Sequence, residues 1–314
     1  MPTIPTIPKC SSLVKPPSPL KYPGGKSPLA RRIVSLFPPK CKNPNKSDSK
    51  DAGYLHYVEP YFGGGSVLLE NNPIGISEVA NDANHKLMNF WSVLQNKSLF
   101  DAFHRILEAM PFAYDEFLNA AEVLAGIPPE INFGAATGLL ENKAALAVAQ
   151  ACAFFVRCRQ SLAARGDDFS PLTKNRTRRG MNEQVSAWLN SIDGLPAVHN
   201  RLRRIVILNQ PALKVIKSQD GPRTLFYLDP PYIHSSRVSC GEYGEFEMSN
   251  HDHNVLIRTL EGTKGRFLLS GYRNALYDSD LFLKQCNRVE FDVPNYASGA
   301  KSKRRMIECV WMNY

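Results

Sequence analysis

The chain has 314 residues, of which 43% are apolar and 21% are charged, and these proportions are ordinary for a globular protein. Its net charge of +9 and its pI near 9.2 favour a polyanionic partner, although a merely basic surface would give the same totals. Seven cysteines without a C-x-x-C pair, and a longest apolar stretch of residues 144–156, indicate a reduced, cytoplasmic protein and exclude a structural zinc site and a membrane span.

Order is expected to begin near Leu20, because residues 1–19 contain several prolines and no signal-peptide pattern and are predicted to form a flexible tail. Residues 21–26 (KYPGGK) form a glycine turn that leads into an amphipathic helix over residues 28–36. The following serine invites a P-loop interpretation. It fails because the first glycine of that motif would fall on Leu20, and because no strand precedes the turn. Lys26 is therefore expected to meet something other than an ATP phosphate.

The first strand is predicted over residues 54–58, and it runs into a glycine-rich turn at residues 59–66 (EPYFGGGS). A strand, a glycine-rich turn and a helix start make a cofactor-binding corner, because glycine lets the backbone approach a ligand closely. A second strand over residues 74–80 ends just before Asp82, where such units commonly accept ribose hydroxyls. Asp82 could equally cap a helix over residues 85–94, so both interpretations stay open.

The next part of the chain, residues 100–204, is predicted to be a mainly helical insertion. Its helices are predicted over residues 100–110, 114–125, 141–164, 182–192 and 196–204. Residues 165–180 are basic and rich in turn formers, without a clear period. Such a run is usually a solvated face, but here contact with nucleic acid is favoured. The candidate contacts are Arg157, Arg159, Lys174, Arg176, Arg178 and Arg179.

An α/β pattern resumes after residue 204. Short apolar strands are predicted over residues 205–208, 225–228, 266–270, 289–293 and 306–311. The last of them is expected to be an edge or an antiparallel strand. A helix over residues 248–260 has Ser249 as a plausible N-cap. His251 and His253 flank Asp252, which hints at a metal site, but exposed polar residues without a metal are favoured because no cysteine is near.

An Asp-Pro-Pro-Tyr sequence follows the strand that ends at Leu228. Neither proline can donate to a β-ladder, so the strand must stop and leave Asp229 at its carboxyl end, where open α/β sheets bind ligands. The loop offers a carboxylate, the carbonyl oxygen of Pro230 and the flat ring of Tyr232. This set suits a planar ring with an exocyclic amino group, although a stiff turn with a capping Asp would give the same residues.

Segments in this order resemble the Dam-type adenine-specific DNA methyltransferases, also called the D12 class. The matching segments are residues 21–26, 58–65, 81–84 and 229–232, with a further likeness in residues 304–314. The resemblance covers most of residues 20–98 and 205–314, and the insertion lies where the α group of this family keeps its target recognition domain. It implies a Rossmann-like S-adenosylmethionine-dependent methyltransferase fold, α/β in class, with a mostly parallel sheet.

The resemblance divides the chain into a catalytic domain over residues 20–99 and 205–314 and a helical target recognition domain over residues 100–204. It implies S-adenosylmethionine as the methyl donor and transfer to N6 of an adenine flipped out of double-stranded DNA, without a metal. The implied cofactor-binding residues are Tyr22, Lys26, Glu59, Tyr61, Gly63, Gly65, Asp82 and Asp229. Tyr22 stands where family members often have tryptophan, which keeps an aromatic surface.

The implied catalytic residues are Asp229, Pro230 and Tyr232. Asp229 and the Pro230 carbonyl would accept from the amine, and Tyr232 would stack on the base through its ring face and not act through its hydroxyl. An RNA adenine methyltransferase, a catalytically silent DNA-binding protein and a cytosine N4 methyltransferase are the alternatives, the last weakened because those enzymes more often carry serine in place of Asp229. We expect a monomer in the cytoplasm, associated with the nucleoid, and a restriction endonuclease partner stays open.

Overall fold

A computed structural model describes residues 15–42, 53–126, 142–162, 166–170, 174–233, 246–294 and 305–314. Its strands are β1 (His56–Glu59), β2 (Ser77–Asn81), β3 (Thr177–Arg178), β4 (Met181–Asn182), β5 (Ile205–Leu208), β6 (Thr224–Leu228), β7 (Arg266–Tyr272), β8 (Asn287–Pro294) and β9 (Arg305–Met312). Its helices are α1 (Ala30–Val34), α2 (Ser66–Glu70), α3 (His85–Gln95), α4 (Lys97–Ala109), α5 (Tyr114–Leu124), α6 (Asn142–Gln160), α7 (Glu183–Asp193), α8 (Leu195–Leu202), α9 (Ala212–Gln219), α10 (Asn250–Glu261) and α11 (Ala275–Ser279). None of these helices is long and apolar enough to cross a membrane.

The described strands include a seven-stranded sheet with the order β5-β2-β1-β6-β7-β9-β8. Neighbours from β5 to β7 in that order are parallel, and β9 runs antiparallel to both β7 and β8. Every residue of β6 is buried, which explains why its sequence is a continuous apolar run without alternation. The predicted α/β class with a mostly parallel sheet is confirmed.

The strand order reverses between β1 and β6. The chain passes from β1 to β2 on one side, whereas β6 pairs with β1 on the other side, with Tyr57 opposite Leu225. Ligands of open α/β sheets bind at the carboxyl ends of the strands beside such a reversal. Glu59 ends β1 and Asp229 directly follows β6, so both acids lie at this edge of the sheet.

Strand β9 is antiparallel, which meets the expectation of an edge or an antiparallel strand, and it lies between β7 and β8, so β8 forms the edge. The short helix α11 has no predicted counterpart, and neither has helix α9. Only Val215 and Ile216 of its eight residues are buried, so its apolar period is too weak to read from the sequence.

The basic stretch of residues 165–180 also contains regular structure that the sequence does not indicate. Strands β3 and β4 pair antiparallel as a hairpin. Arg179 and Gly180 connect them and have φ angles of 56° and 73°. Two consecutive left-handed residues are typical of a type I′ turn, whose twist matches that of a hairpin. Each strand has only two residues, so no alternation could mark it in the sequence.

The helices of the insertion share an apolar cluster with the helix that follows β2. Phe90 of α3 stacks on Phe155 of α6 with the ring centroids 6.0 Å apart, and it meets Phe103 of α4 edge-on at 6.0 Å. Trp188 of α7 belongs to the same buried cluster. Residues of both predicted domains belong to this one cluster, so the division into two domains stays a proposal. If it is right, the two domains meet across a packed apolar interface.

A buried ion pair ties the end of the helical part to the sheet. Arg201 of α8 donates to both carboxylate oxygens of Glu78 on β2, each at 2.6 Å, and to the Leu68 carbonyl at 3.1 Å. The two charged side chains are 3% and 1% exposed. This bidentate geometry fixes the position of α8 against β2 and α2.

Residues 15–19 pack against the protein, although the sequence predicts them to be part of a flexible tail. The Ser18 hydroxyl donates to the Gly64 carbonyl at 2.6 Å, and Lys15 pairs with Glu70 at 2.8 Å. The start of order predicted near Leu20 is thus too late by several residues. The rest of the predicted tail lies outside the described residues.

Candidate active site

A cavity of about 400 Å³ lies at the carboxyl ends of β1 and β6. All the residues predicted to bind the cofactor line it, namely Tyr22, Lys26, Glu59, Tyr61, Gly63, Gly65, Asp82 and Asp229. They come from segments far apart in the chain, so the fold brings the predicted set together. The lining also includes Leu213 and Met248, which sequence reasoning missed. Leu213 lies in α9, which has no predicted counterpart, and Met248 begins the helix predicted over residues 248–260, and neither segment carries a motif.

The turn after β1 requires glycine at two positions. Gly63 and Gly65 have φ angles of 49° and 68°, in the left-handed region that favours glycine. A Cβ on Gly65 would lie 2.7 Å from the ring of Phe62, and a Cβ on Gly63 would lie 3.4 Å from the ring of Tyr22. Bare backbone therefore lines this wall of the cavity and can come close to a ligand.

The Asp82 carboxylate connects the glycine turn to the start of α3. It accepts hydrogen bonds from the backbone N–H of Gly63 and of Asn84, both at 3.0 Å. The N-cap of α3 is Asn84, whose side chain accepts from the N–H groups of Lys86 and Leu87. The alternative in which Asp82 caps this helix is therefore wrong. Burial raises the pKa of Asp82, and the backbone N–H donors oppose that rise.

The Asp229 carboxylate lies beside a buried ammonium group. Lys26 Nζ is 2.8 Å from Asp229 Oδ1, and it donates to the Gly24 carbonyl at 2.9 Å. The two charged side chains are 8% and 18% exposed, so water competes little with this contact. Residues 21–26 and the loop after β6 therefore meet at one ion pair, in which the partner of Lys26 is the Asp229 carboxylate.

A second carboxylate, from Glu308 on β9, faces the same ammonium. Glu308 Oε1 is 3.7 Å from Lys26 Nζ and accepts a hydrogen bond from the Tyr232 hydroxyl. Burial raises the pKa of Glu308, and Lys26 opposes that rise. Sequence reasoning did not assign Glu308 to the site. The available signal was an acid inside the apolar run of β9, since buried acids are rare unless they are paired.

Comparison with models of known protein families matches residues 22–291 to the D12 class N6 adenine-specific DNA methyltransferases. The chain belongs to this family. It uses S-adenosylmethionine to methylate adenine at N6 in DNA, as the motifs predict. A search of curated proteins finds no match.

The cavity of this methyltransferase fits the cofactor in three respects. The glycine turn lines the cavity with backbone that carries no Cβ at Gly63 and Gly65. The Asp82 carboxylate has about four acceptor sites, and backbone N–H groups occupy two of them. The others can accept hydrogen bonds from hydroxyl groups of the cofactor. The acids Glu59, Asp82 and Asp229 make the lining suitable for a cationic ligand. These residues would hold S-adenosylmethionine, and Tyr22 adds an aromatic wall.

Replacing Asp82 with alanine is expected to raise the Kd for S-adenosylmethionine by roughly 10- to 150-fold, because a charged acceptor of hydrogen bonds is removed. Titration calorimetry measures this change. Asn96→Ala is a matched control, because it removes the N-cap of α4 without touching the cavity. If the folded Asp82→Ala variant bound the cofactor with unchanged affinity, the carboxylate would serve only the backbone around Gly63 and Asn84.

Glu59 is a buried acid in the methyltransferase cavity. The Tyr57 hydroxyl donates to Glu59 Oε1 at 2.6 Å. Burial raises the pKa of Glu59 to about 8, with a further contribution from Asp229 and opposition from the Tyr57 hydrogen bond. Below pH 8 the carboxyl is therefore mostly protonated, and it would ionise when a positive charge comes beside it.

Cofactor binding near neutral pH is therefore expected to release protons from Glu59. Because a cationic ligand lowers the pKa of the carboxyl, the affinity for S-adenosylmethionine should rise with pH and level off above about 8. Calorimetry in buffers of different ionisation enthalpy measures the protons released. The Glu59→Gln side chain cannot titrate. Subtracting the protons that this variant releases from those that the wild type releases therefore removes the contribution of the ligand's own ionisation. Equal proton release from both proteins would contradict this expectation.

Tyr232 of the methyltransferase does not present an open ring face. The residue is 8% exposed, and Lys26 Nζ lies 4.8 Å from the centroid of its ring. The ring of Tyr272 meets it edge-on at 4.7 Å, and its hydroxyl donates to Glu308. The hydroxyl thus has a structural partner, and whether it takes part in the reaction is not tested by this contact. Stacking on a base remains a prediction, and it would require the ring to be uncovered.

The structure separates the six predicted nucleic-acid contacts into two groups. The side chains of the basic stretch are exposed on the hairpin and its flank, and they are Lys174, Arg176, Arg178 and Arg179. Arg157 and Arg159 of α6 are only half-exposed. The guanidinium of Arg157 lies 3.9 Å above the ring of Phe117 and donates to its carbonyl, while burial lowers the pKa of Arg159 to about 10. Arg157 therefore packs against α5, and contact of Arg157 and Arg159 with DNA stays a prediction.

The His-Asp-His sequence at the start of α10 also differs from expectation. His253 is buried and pairs with the Tyr277 hydroxyl at 2.8 Å, so it is not an exposed polar residue. Ser249 caps α10 as predicted and forms a capping box with Asp252. The described residues contain no group of three or more acids, histidines and cysteines that could hold a metal ion.

Proposed function

We propose that this enzyme acts on an adenine flipped out of duplex DNA, with Asp229 and the Pro230 carbonyl holding the amine. The observation that carries the proposal is the position of Asp229, at the end of a central strand and on the lining of the cofactor cavity. The family match supports adenine in DNA as the substrate. The duplex form of the substrate and the roles of the residues are the proposal.

When bound, S-adenosylmethionine supplies a methyl group on a positively charged sulfur, which is already activated for transfer. The adenine amine is a poor nucleophile because its lone pair is delocalised into the ring. Two acceptors, the Asp229 carboxylate and the Pro230 carbonyl, would bind its two hydrogens and favour a pyramidal nitrogen with an available lone pair. Alignment of the amine with the methyl group would contribute further, since well-oriented groups gain about 7–11 kcal/mol from proximity.

The target base must leave the duplex before this geometry can form. Extrusion costs a few kcal/mol, and an aromatic face that receives the base recovers roughly 1–3 kcal/mol. Tyr232 follows the two prolines and is the expected aromatic face. Because Lys26 and Tyr272 contact its ring, we propose that the ring becomes accessible when the base enters.

The exposed hairpin supports a DNA contact near the mouth of the cavity. Arg176, at the base of the hairpin, lies 3.9 Å from Glu183. Burial and Arg159 lower the pKa of Lys21, whereas Glu183 raises it, so Glu183 lies within electrostatic reach of the residue before Tyr22. Arg179 of the hairpin donates to Asn190 at 2.9 Å, and Asn190 lines a second cavity together with Lys21 and Tyr22, so the hairpin lies near the turn of residues 21–26. Its cations suit the phosphates of a bound duplex.

Replacing Lys174, Arg176, Arg178 and Arg179 with glutamine is expected to weaken DNA binding. It should also flatten the salt dependence of binding by about 0.9 in log–log slope for each phosphate that the protein no longer neutralises. Titrations over a range of salt concentrations measure the slope. A matched control replaces four exposed cations that lie outside residues 100–204, which are Lys217, Arg258, Lys264 and Lys284. An unchanged slope in the hairpin variant would show that the hairpin faces solvent.

Transfer of a labelled methyl group from S-adenosylmethionine tests the proposed substrate. Duplex DNA, single-stranded DNA and RNA are compared as acceptors, and the modified base is identified after digestion. We expect N6-methyladenine in duplex DNA. Preferential labelling of RNA would favour the RNA methyltransferase alternative, and cofactor binding without transfer would favour a catalytically silent DNA-binding protein.

We propose that one copy of the chain carries out the reaction at the nucleoid. The monomer is proposed because this one chain supplies all eight predicted cofactor residues to the described cavity, and sedimentation of the enzyme with and without DNA tests it. Association with the nucleoid would follow from DNA binding. A restriction endonuclease partner remains a prediction from the family resemblance.

A further inference from the structure

Glu308 has no assigned part in the proposed reaction, yet it is one of two carboxylates that face the same ammonium. Lys26 Nζ lies 2.8 Å from Asp229 Oδ1 and 3.7 Å from Glu308 Oε1. The first distance is that of a charge-assisted hydrogen bond, whereas the second is too long for a hydrogen bond. One buried cation therefore has two alternative anionic partners, and here it is bound to Asp229.

That contact conflicts with the acceptor role proposed for Asp229. An ammonium that donates to Oδ1 occupies part of the carboxylate, and its charge makes the carboxylate a weaker acceptor for the amine. A movement of the ammonium by about 1 Å towards Glu308 would form a second charge-assisted hydrogen bond and release Oδ1. Lysine suits such a movement, because its charge is compact and its stem is flexible.

The surroundings of Glu308 hold its carboxylate in place for this exchange. It lies on β9 opposite Tyr272 of β7, and its side chain is 4% exposed. The Tyr232 hydroxyl donates to Oε1, the same oxygen that faces Lys26. The residue expected to receive the base is therefore bonded to the acid that would receive the ammonium.

We propose that Glu308 is a positioning residue for methyl transfer, which takes Lys26 from Asp229 when the amine of the target base arrives. The proposal rests on the acceptor role of Asp229. Glu308 does not touch the reacting atoms and acts through Lys26. Tyr232 contributes by fixing the carboxylate, so entry of the base beside its ring is coupled to the transfer of the ammonium.

Single-turnover methyl transfer by Glu308→Gln tests this role. Glutamine keeps the shape and an oxygen that can accept from the Tyr232 hydroxyl, but it has no charge to attract Lys26. The rate with saturating DNA and cofactor is expected to fall by roughly 10- to 100-fold. The Kd for S-adenosylmethionine is expected to stay unchanged. A wild-type rate, or a loss confined to cofactor affinity, would overturn the proposal.

A double-mutant cycle separates this role from a purely structural one. In a Lys26→Met background, Glu308→Gln is expected to cause no further loss of rate, because its effect passes through Lys26. If Glu308 only stabilised β9, the two losses would add instead. Additive losses in the cycle would therefore overturn the proposal.

Thermal unfolding checks that each variant is folded. If Glu308→Gln does not fold, Tyr232→Phe takes its place, because it removes only the hydroxyl that binds Oε1. We expect a reduced single-turnover rate with unchanged cofactor affinity, and a full rate would overturn the proposal. A different result would show that the proposed acceptor role of Asp229 is wrong. In that case Asp229→Asn would keep the wild-type rate, regardless of the rates of the Glu308 variants.

Discussion

Replacing Asp229 with alanine is expected to lower the rate of methyl transfer by at least about 100-fold, on the scale of removing one preorganised group that stabilises a transition state. The carboxylate stands at the end of β6, on the cofactor cavity, and would bind the amine of the target base. The fold should survive. Lys26 keeps the Gly24 carbonyl at 2.9 Å and has Glu308 at 3.7 Å, so its charge is not left uncompensated.

Transfer of labelled methyl groups measures this loss of rate, and calorimetry with S-adenosylmethionine shows whether the cofactor site is intact. Asp229→Asn is the matched control for shape, since it removes the charge and keeps one acceptor oxygen. We expect its rate to lie between those of the wild type and Asp229→Ala. A folded Asp229→Ala variant with wild-type turnover would refute the mechanism.

Breaking the buried pair between Arg201 and Glu78 is expected to have the largest effect on stability. Removal of one partner leaves the other charge buried without compensation, which typically costs about 3–5 kcal/mol. Arg201→Met should therefore lower the free energy of unfolding by that amount. The decrease should appear in denaturant unfolding of the whole chain, because the pair joins α8 to β2.

The double variant Arg201→Met with Glu78→Leu is the matched control. Well-packed apolar residues can replace a buried ion pair at little cost, so we expect this variant to recover much of the stability. Cofactor affinity should be near that of the wild type, since neither residue lines the described cavity. If both variants unfolded at the wild-type denaturant concentration, the pair would contribute nothing to stability.

The sequence was most informative where a covalent constraint determines the structure. Two prolines after Leu228 end a strand whatever surrounds it, so the position of Asp229 was predictable. The left-handed turn through Gly63 and Gly65 was predictable for the same reason, because other residues disfavour that backbone conformation. Asp229, Gly63 and Gly65 indeed line one cavity.

The remaining features depend on contacts between distant segments. Whether Asp82 or Asn84 caps α3 depends on which side chain turns towards the helix, and composition does not decide that. The sequence does not indicate that the guanidinium of Arg157 lies on Phe117 of another helix, because that contact joins distant segments. Glu308 becomes part of the site only because β9 inserts beside β7. Hydrophobic period and local propensity contain none of this information.

The pairing of β1 with β6 has a consequence for synthesis of the chain. Tyr57 and Leu225 are neighbours in the centre of the sheet, although the whole helical insertion is made between them. A nascent chain must keep β1 unpaired on that side until β6 has left the ribosome. Parallel pairing between strands that are distant in the sequence forms slowly, and the unpaired apolar edge of β1 stays exposed until it forms. We therefore expect this enzyme to depend on chaperones during production, and to gain cofactor affinity only after β6 and Asp229 have been made.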